Sequence, residues 1–186
     1  MRRWGWPLVT AAGVSAAALL LSIAGLAALL GQAGPFMGST LLGFATGHDQ
    51  RAFDLLAHRP TPAGLAKAGA ESEMALALSP YDNAARMRLL FADTTRHGRL
   101  TPAGLALFAR SYDLIPYDYT VAAWRIGFGL EHWATLTPDL RSAVFAEALA
   151  FGRAGSQDVN VRAVLSNVRD PQGRLAAALW LQTLKR

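Results

Sequence analysis

The sequence predicts an all-α protein: an N-terminal transmembrane helix followed by a short array of helical hairpins, an α-solenoid. Three observations carry this reading. Residues 6–30 form a run of 25 without a charge, dominated by Ala and Leu. Thr61-Pro62-Ala63-Gly64-Leu65 recurs residue for residue as Thr101-Pro102-Ala103-Gly104-Leu105, and Thr137-Pro138-Asp139-Leu140 opens a third copy, so the starts lie 40 and 36 residues apart, as in a repeat array. A second landmark follows two of these starts, Ser79-Pro80-Tyr81-Asp82 and Ile115-Pro116-Tyr117-Asp118, and from each of its prolines to the proline of the next Thr-Pro is 22 residues. The four-residue difference therefore falls in the segment before the landmark, where about one helical turn nearly preserves the buried face. Three regions follow: 1–30, a cytoplasmic stub and transmembrane helix; 31–60, a juxtamembrane linker with a short helix; and 61–186, the helical domain.

As a helix, the uncharged run is long enough to cross a hydrocarbon core of roughly 30 Å with some tilt. Arg2 and Arg3 precede it and no basic residue follows until Arg51. The positive-inside rule then leaves the N-terminus in the cytoplasm, with Trp4 and Trp6 in the interfacial belt. A cleaved signal would have a shorter apolar stretch and a small-residue cleavage site. Gly31-Gln32-Ala33-Gly34-Pro35 is a poor one, so an uncleaved single-pass anchor is expected. Ala11, Ser15, Ala18, Ser22 and Gly25 fall at steps of 4, 3, 4 and 3, a small-residue stripe suited to packing against a partner helix. Sixteen of the eighteen basic residues are arginine, which together with abundant alanine hints at a GC-rich bacterial source. The expected location is a bacterial inner membrane with the C-terminal domain in the periplasm.

Residues 31–47 hold five glycines, too many for a stable helix on propensity alone, and read as a linker whose apolar residues touch lipid or a partner. Residues 49–57 read as a short helix with Phe53, Leu56 and Ala57 on one side, ended by Pro60. In each repeat the Thr oxygen can cap an orphan amide and the Pro at the first helical position loses nothing by lacking its N–H. Pro80 and Pro116 then close those helices, and Asp82 and Asp118 are placed to cap the next ones.

In the first repeat Leu65, Met74, Leu76 and Leu78 supply the apolar content while Glu71 and Glu73 remain wet. In the central copy Val121, Trp124 and Phe128, and Ile126, Leu130 and Trp133, define two apolar faces, which predicts cover on both sides. Gly127 and Gly129 are suited to close helix approach. Leu140, Val144 and Ala148 continue the helical period. Residues 159–168 alternate like a strand but also fit a helical face, and register with the earlier copies decides for helix. Asp170-Pro171 starts a last helix through Leu175, Leu179, Trp180 and Leu184, expected to cap the array.

Gly104, Phe108, Ser111 and Pro116 have the small, aromatic, small, proline spacing of the second helix of a tetratricopeptide repeat, and Ala68, Ala75 and Pro80 fit likewise, with Ser72 where a large residue is usual. Leu89 falls where the next repeat's first helix carries its leucine. Arg86 stands where an aromatic is usual and Trp124 is two positions late. Residues 61–170 thus resemble a degenerate tetratricopeptide (TPR) array. The resemblance implies stacked helical pairs acting as a protein-binding scaffold.

The chain has no cysteine, which excludes thiolate catalysis, Cys-ligated zinc and disulfides. Beyond the anchor, 16 basic residues stand against 13 acidic ones, too small an excess for a dedicated nucleic-acid binder. No nucleotide loop, nucleophile elbow or paired-carboxylate motif is visible, and no cofactor or small-molecule substrate is expected. Arg86, Arg88, Arg96, Arg99 and Arg110 form the candidate partner-binding set, against the plainer reading of dipole complement and solubility.

The expected function is a noncatalytic membrane scaffold or adaptor that binds another envelope protein, with the bilayer and a membrane or periplasmic protein as partners. Small anchored arrays of this kind often serve surface polysaccharide assembly or secretion machinery. A first alternative is an accessory subunit held mainly by its transmembrane helix. A second is a metal-dependent hydrolase built on His48, Asp54 and His58, with Asp49 beside them, although no established metal motif has this spacing.

Overall fold

A computed structural model of the chain describes residues 44–57, 60–154 and 160–183, together with the isolated Ser22. The run 6–30, apart from Ser22, lies outside the described residues, as do His58 and Leu184. The described residues form eight α-helices and no strand: α1 (Ala45–Ala57), α2 (Pro62–Leu78), α3 (Asn83–His97), α4 (Pro102–Leu114), α5 (Ala122–Glu131), α6 (Pro138–Ala154), α7 (Val161–Ser166) and α8 (Pro171–Thr183), with a 3-10 turn at Trp133–Thr135. Among them no helix is long and apolar enough to cross a membrane.

The helix starts obey the cap chemistry. Thr61, Thr101 and Thr137 accept from the amides of Gly64, Gly104 and Leu140 at 3.1, 2.9 and 3.3 Å. Asp82 takes the Ala85 amide, Asn160 that of Ala163 and Asp170 that of Gly173. Gly98, at φ 65, closes α3 in the left-handed region that favours glycine. Asp118 departs from its expected role, because α5 begins only at Ala122 and has no side-chain cap. Its carboxylate instead organises its own turn through the Thr120 amide and reaches across to accept from Asn83 Nδ2 at 3.1 Å.

The contacts between α2 and α3, α3 and α4, and α5 and α6 are those of antiparallel neighbours. Gly69 approaches Leu89 between α2 and α3, Asn83 donates to the Ser111 carbonyl between α3 and α4, and Gly129 meets Val144 between α5 and α6. The residues of the repeat spacing mark the inner faces: Ala68, Ser72 and Ala75 on α2, and Gly104, Phe108 and Ser111 on α4, are all buried. Glycine sets the closest approaches. A Cβ at Gly129 would stand 2.8 Å from Val144 Cγ2, and one at Gly173 only 1.9 Å from the Leu130 carbonyl oxygen. The last helix is thereby seated directly on the end of α5. Residues 161–166 form the helix that register favoured, with Val161 and Leu165 buried.

Several faces differ from the sequence reading. Helix α1 starts at Ala45, inside the glycine-rich stretch, and buries Gly47 and Ala52 while Phe53 stays half exposed. It packs along α2, whose buried face is also mostly small, so close tertiary packing overrides the poor helix propensity of glycine. On α2, Met74 and Leu78 are exposed, and Glu71 is held by His48 Nδ1 at 2.6 Å and Arg51 Nε at 2.9 Å instead of standing free in water. On α8 the buried stripe is Gly173, Ala176, Ala177 and Trp180, whereas Leu175 and Leu179 are 66% and 56% exposed. The bulk of Trp180, packed edge-on to Trp133 at 5.3 Å and against Phe145 at 5.0 Å, decides which side turns in.

The core is crossed by a polar network. Arg125 on α5 is fully buried. Its Nη1 donates to the Ser111 and Ile115 carbonyls and its Nη2 to that of Pro116, each at 3.0 Å. The Ile115 and Pro116 carbonyls lie past the last turn of α4, and the Ser111 carbonyl also accepts from the Ile115 amide and Asn83 Nδ2. Nη2 also pairs with Glu147 of α6, which accepts from the Tyr112 hydroxyl at 2.9 Å. The Arg125 guanidinium lies 4.2 Å from the Tyr112 ring centroid. Arg86 does the same for the preceding hairpin, donating to the Pro80 carbonyl at 2.6 Å. Arg86 lies six residues after Pro80 and Arg125 nine after Pro116, the offset matching the three-residue later start of α5.

Burial pushes the Glu147 carboxyl up to about 7 against the pull of Arg125 and Tyr112, and burial raises the Tyr112 phenol as well. With the Glu147 pKa raised from 4.5, the folded protein holds a proton that the unfolded chain releases. The stability from this site is full below the lower value and is lost as pH rises through the upper one, by roughly 3 kcal/mol. Glu147→Gln should flatten that part of the profile, which urea midpoints measured below and above the interval would register. An unchanged slope in the variant would refute this assignment.

Candidate protein-binding groove

Helices α1, α3, α5 and α7 each turn one face towards a common groove. It consists of three connected open depressions of about 330, 680 and 480 Å³. The first is walled by Phe53 and Leu56 of α1 and Met87, Arg88 and Phe91 of α3. Phe91 and Trp124 separate it from the second, and Ala123, Gly127 and Glu131 of α5 are shared by the second and third, which ends on Val164 and Asn167. On α3 the lining residues Ala84, Met87, Arg88, Phe91 and Thr95 recur at helical spacing.

The floor is aromatic. Trp124 stacks on Phe128 with centroids 4.7 Å apart, and Phe128 touches His132 at 4.4 Å and the buried Phe108 at 5.3 Å. Val121, Ala122, Ile126 and Leu130 are buried, while Ala123, Trp124, Gly127 and Phe128 are only half-buried. The Trp124 and Phe128 side of α5 is therefore only partly covered, with Gly127 against Val164 of α7 and the remainder open to the groove, where the sequence predicts full cover.

Several polar groups at the groove are engaged within the fold, while the Thr94 Oγ1 of the second depression is buried without a hydrogen-bond partner. Arg88 pairs with Asp49 and lies 5.6 Å from the Phe53 ring centroid. Glu131 accepts from the Arg169 and Asp170 amides at 2.7 and 3.1 Å, tying the start of α8 to α5. Burial holds the His132 imidazole below its ordinary pKa against the pull of Glu131 and Asp170, which favours the neutral ring. Glu131 and His132 thus serve different neighbours, as their adjacency on a helix implies.

The five candidate arginines do not share one surface. Arg86 is buried as a carbonyl cap, Arg88 sits in the groove paired with Asp49, and Arg96, Arg99 and Arg110 are exposed. Arg110 lies near enough to Arg86 to add to the burial that lowers its pKa. Of the stripe Ala11, Ser15, Ala18, Ser22 and Gly25, all but Ser22 lie outside the described residues. His48 turns to Glu71, Asp49 to Arg88, and Asp54 accepts from Gln50 at 2.9 Å on the surface. Among the described residues no group of three or more His, Asp or Glu is placed to hold a metal ion.

Phe91, Trp124 and Phe128, the groove's aromatic floor, were not singled out as binding residues by the sequence. The available signal was the apolar face of Val121, Trp124 and Phe128 on α5, which suits a packed interior and an open groove equally well. Together these features define a class: an all-helical fold among the described residues, with an open, aromatic-floored groove lined by α1, α3, α5 and α7. No protein family, curated protein or solved structure matches the chain.

Proposed function

We propose that this chain is a noncatalytic, single-pass membrane scaffold whose TPR-like array binds a segment of another envelope protein in the groove. The N-terminus lies in the cytoplasm and the helical domain in the periplasm of a bacterial inner membrane. The observation that carries the reading is the half-buried ladder of Phe91, Trp124 and Phe128 along an open trough, since aromatic side chains in partly formed pockets are the usual anchors of protein recognition. Stacked helical pairs create extended concave surfaces of this kind. The uncharged run 6–30 supplies the membrane segment.

The test is affinity purification from detergent-solubilised membranes, comparing the intact chain with one lacking residues 61–170. A partner recovered only with the intact chain is expected. Indistinguishable partner sets would sink the proposal and favour contact through the transmembrane segment.

A further inference from the structure

One edge of the helical stack carries an exposed aromatic and aliphatic rim, with the exposed Asp113 on the last turn of α4 beside it. Antiparallel packing brings to this edge the start of α1, the α2–α3 turn and the α4–α5 turn. Asp49 of α1 pairs with Arg88 of α3, setting those two helices parallel, and Asn83 Nδ2 stitches the two turns by donating to Ser111 O and Asp118 Oδ2. Leu78 and Tyr81 project from one turn and Ile115, Tyr117 and Tyr119 from the other, the tyrosines being 72%, 56% and 67% exposed. The two acids in these turns are occupied, Asp82 by the Ala85 amide and Asp118 by Thr120 and Asn83.

The same edge is where the described chain enters at Phe44. Only 13 residues, 31–43, separate it from the end of the uncharged run, a reach of at most about 45 Å. The opposite edge, with Gly98 and the Trp133–Thr135 turn, stands a helix length of about 25 Å further along the chain's path. Tyrosine, with an apolar ring and a polar tip, partitions to the headgroup level of a bilayer.

We infer that the rim of Leu78, Tyr81, Ile115, Tyr117 and Tyr119 rests on the lipid surface, a contact with zwitterionic headgroups and upper acyl chains that fixes the groove's orientation above the membrane. This rests on the reading of residues 6–30 as a membrane anchor. It deepens the proposed function, since a stack held by both tether and rim presents its groove at a set height.

The chain has no cysteine, so single nitroxide labels can be placed in the full chain reconstituted in phosphatidylcholine vesicles. Labels at Tyr117→Cys and Tyr81→Cys on the rim are compared with Arg99→Cys, which is exposed at the opposite edge. The expected result is a ratio of oxygen to aqueous nickel-chelate accessibility several-fold higher at both rim sites than at Arg99→Cys. Chains that float with the vesicles while all three labels are equally aqueous overturn the inference and leave the anchor standing. Chains that do not float overturn both. Rim labels shielded in native membranes but aqueous in pure lipid show a protein covering the rim, which also overturns it.

Discussion

Arg125→Ala is expected to lower the unfolding free energy by about 3–5 kcal/mol, the cost of removing one partner from a buried ion pair. Arg125 is 0% exposed and donates to three backbone carbonyls as well as to Glu147. Its loss removes the Arg125 donor from the Ile115 and Pro116 carbonyls past the end of α4, and each buried unpaired group costs about 1–3 kcal/mol. It also empties the volume beside the Tyr112 ring. Against a total stability of roughly 5–15 kcal/mol for a domain, a loss of this size removes a large share of the folding margin. Urea denaturation of the full chain in detergent, followed by circular dichroism, measures it, with Arg110→Ala as a surface control expected within about 0.5 kcal/mol of wild type. In a double-mutant cycle the pair Arg125→Ala, Glu147→Ala should cost less than the sum of the single changes, because the two side chains touch. A loss for Arg125→Ala as small as that of the control would contradict the role given to this network.

Trp124→Ala is expected to weaken partner binding by about 2 kcal/mol or more, roughly thirtyfold in affinity, with a much smaller effect on folding. Trp124 walls two of the three depressions, stacks on Phe128 and is only half-buried, so truncation removes contact surface chiefly from the groove. Titrating purified partner against the reconstituted chain measures the effect. Leu175→Ala, on the outer face of α8, should leave affinity unchanged. Equal losses for the two variants would show that binding does not use the groove.

Much of the fold was legible because caps and hairpin turns are local. The Thr-Pro starts, Asp82 and Asp170 follow from side chains that reach backbone amides two or three residues away. The buried faces of α2 and α4 were legible from the spacing of small and aromatic residues. Faces set by distant partners were not. On α8, leucines and alanines both make a helical stripe, and only the seat of Gly173 against Leu130 and of Trp180 against Trp133 turns the alanines inward. Arg86 reads as a partner-binding residue and Arg125 carries no motif, yet helix ends bring buried backbone carbonyls to both. The expected cap at Asp118 failed because Tyr119, Thr120 and Val121 delay the helix by three residues. The groove was the least legible feature, since its walls come from four helices and its openness is a property of the spaces between them.

The most direct test of the anchored scaffold with a binding groove is site-specific photocrosslinking in native membranes. A benzophenone amino acid at Phe128 should give one discrete adduct with another envelope protein, while the same probe at Leu175 should give none. Adducts from Leu175 with none from Phe128 would contradict the account.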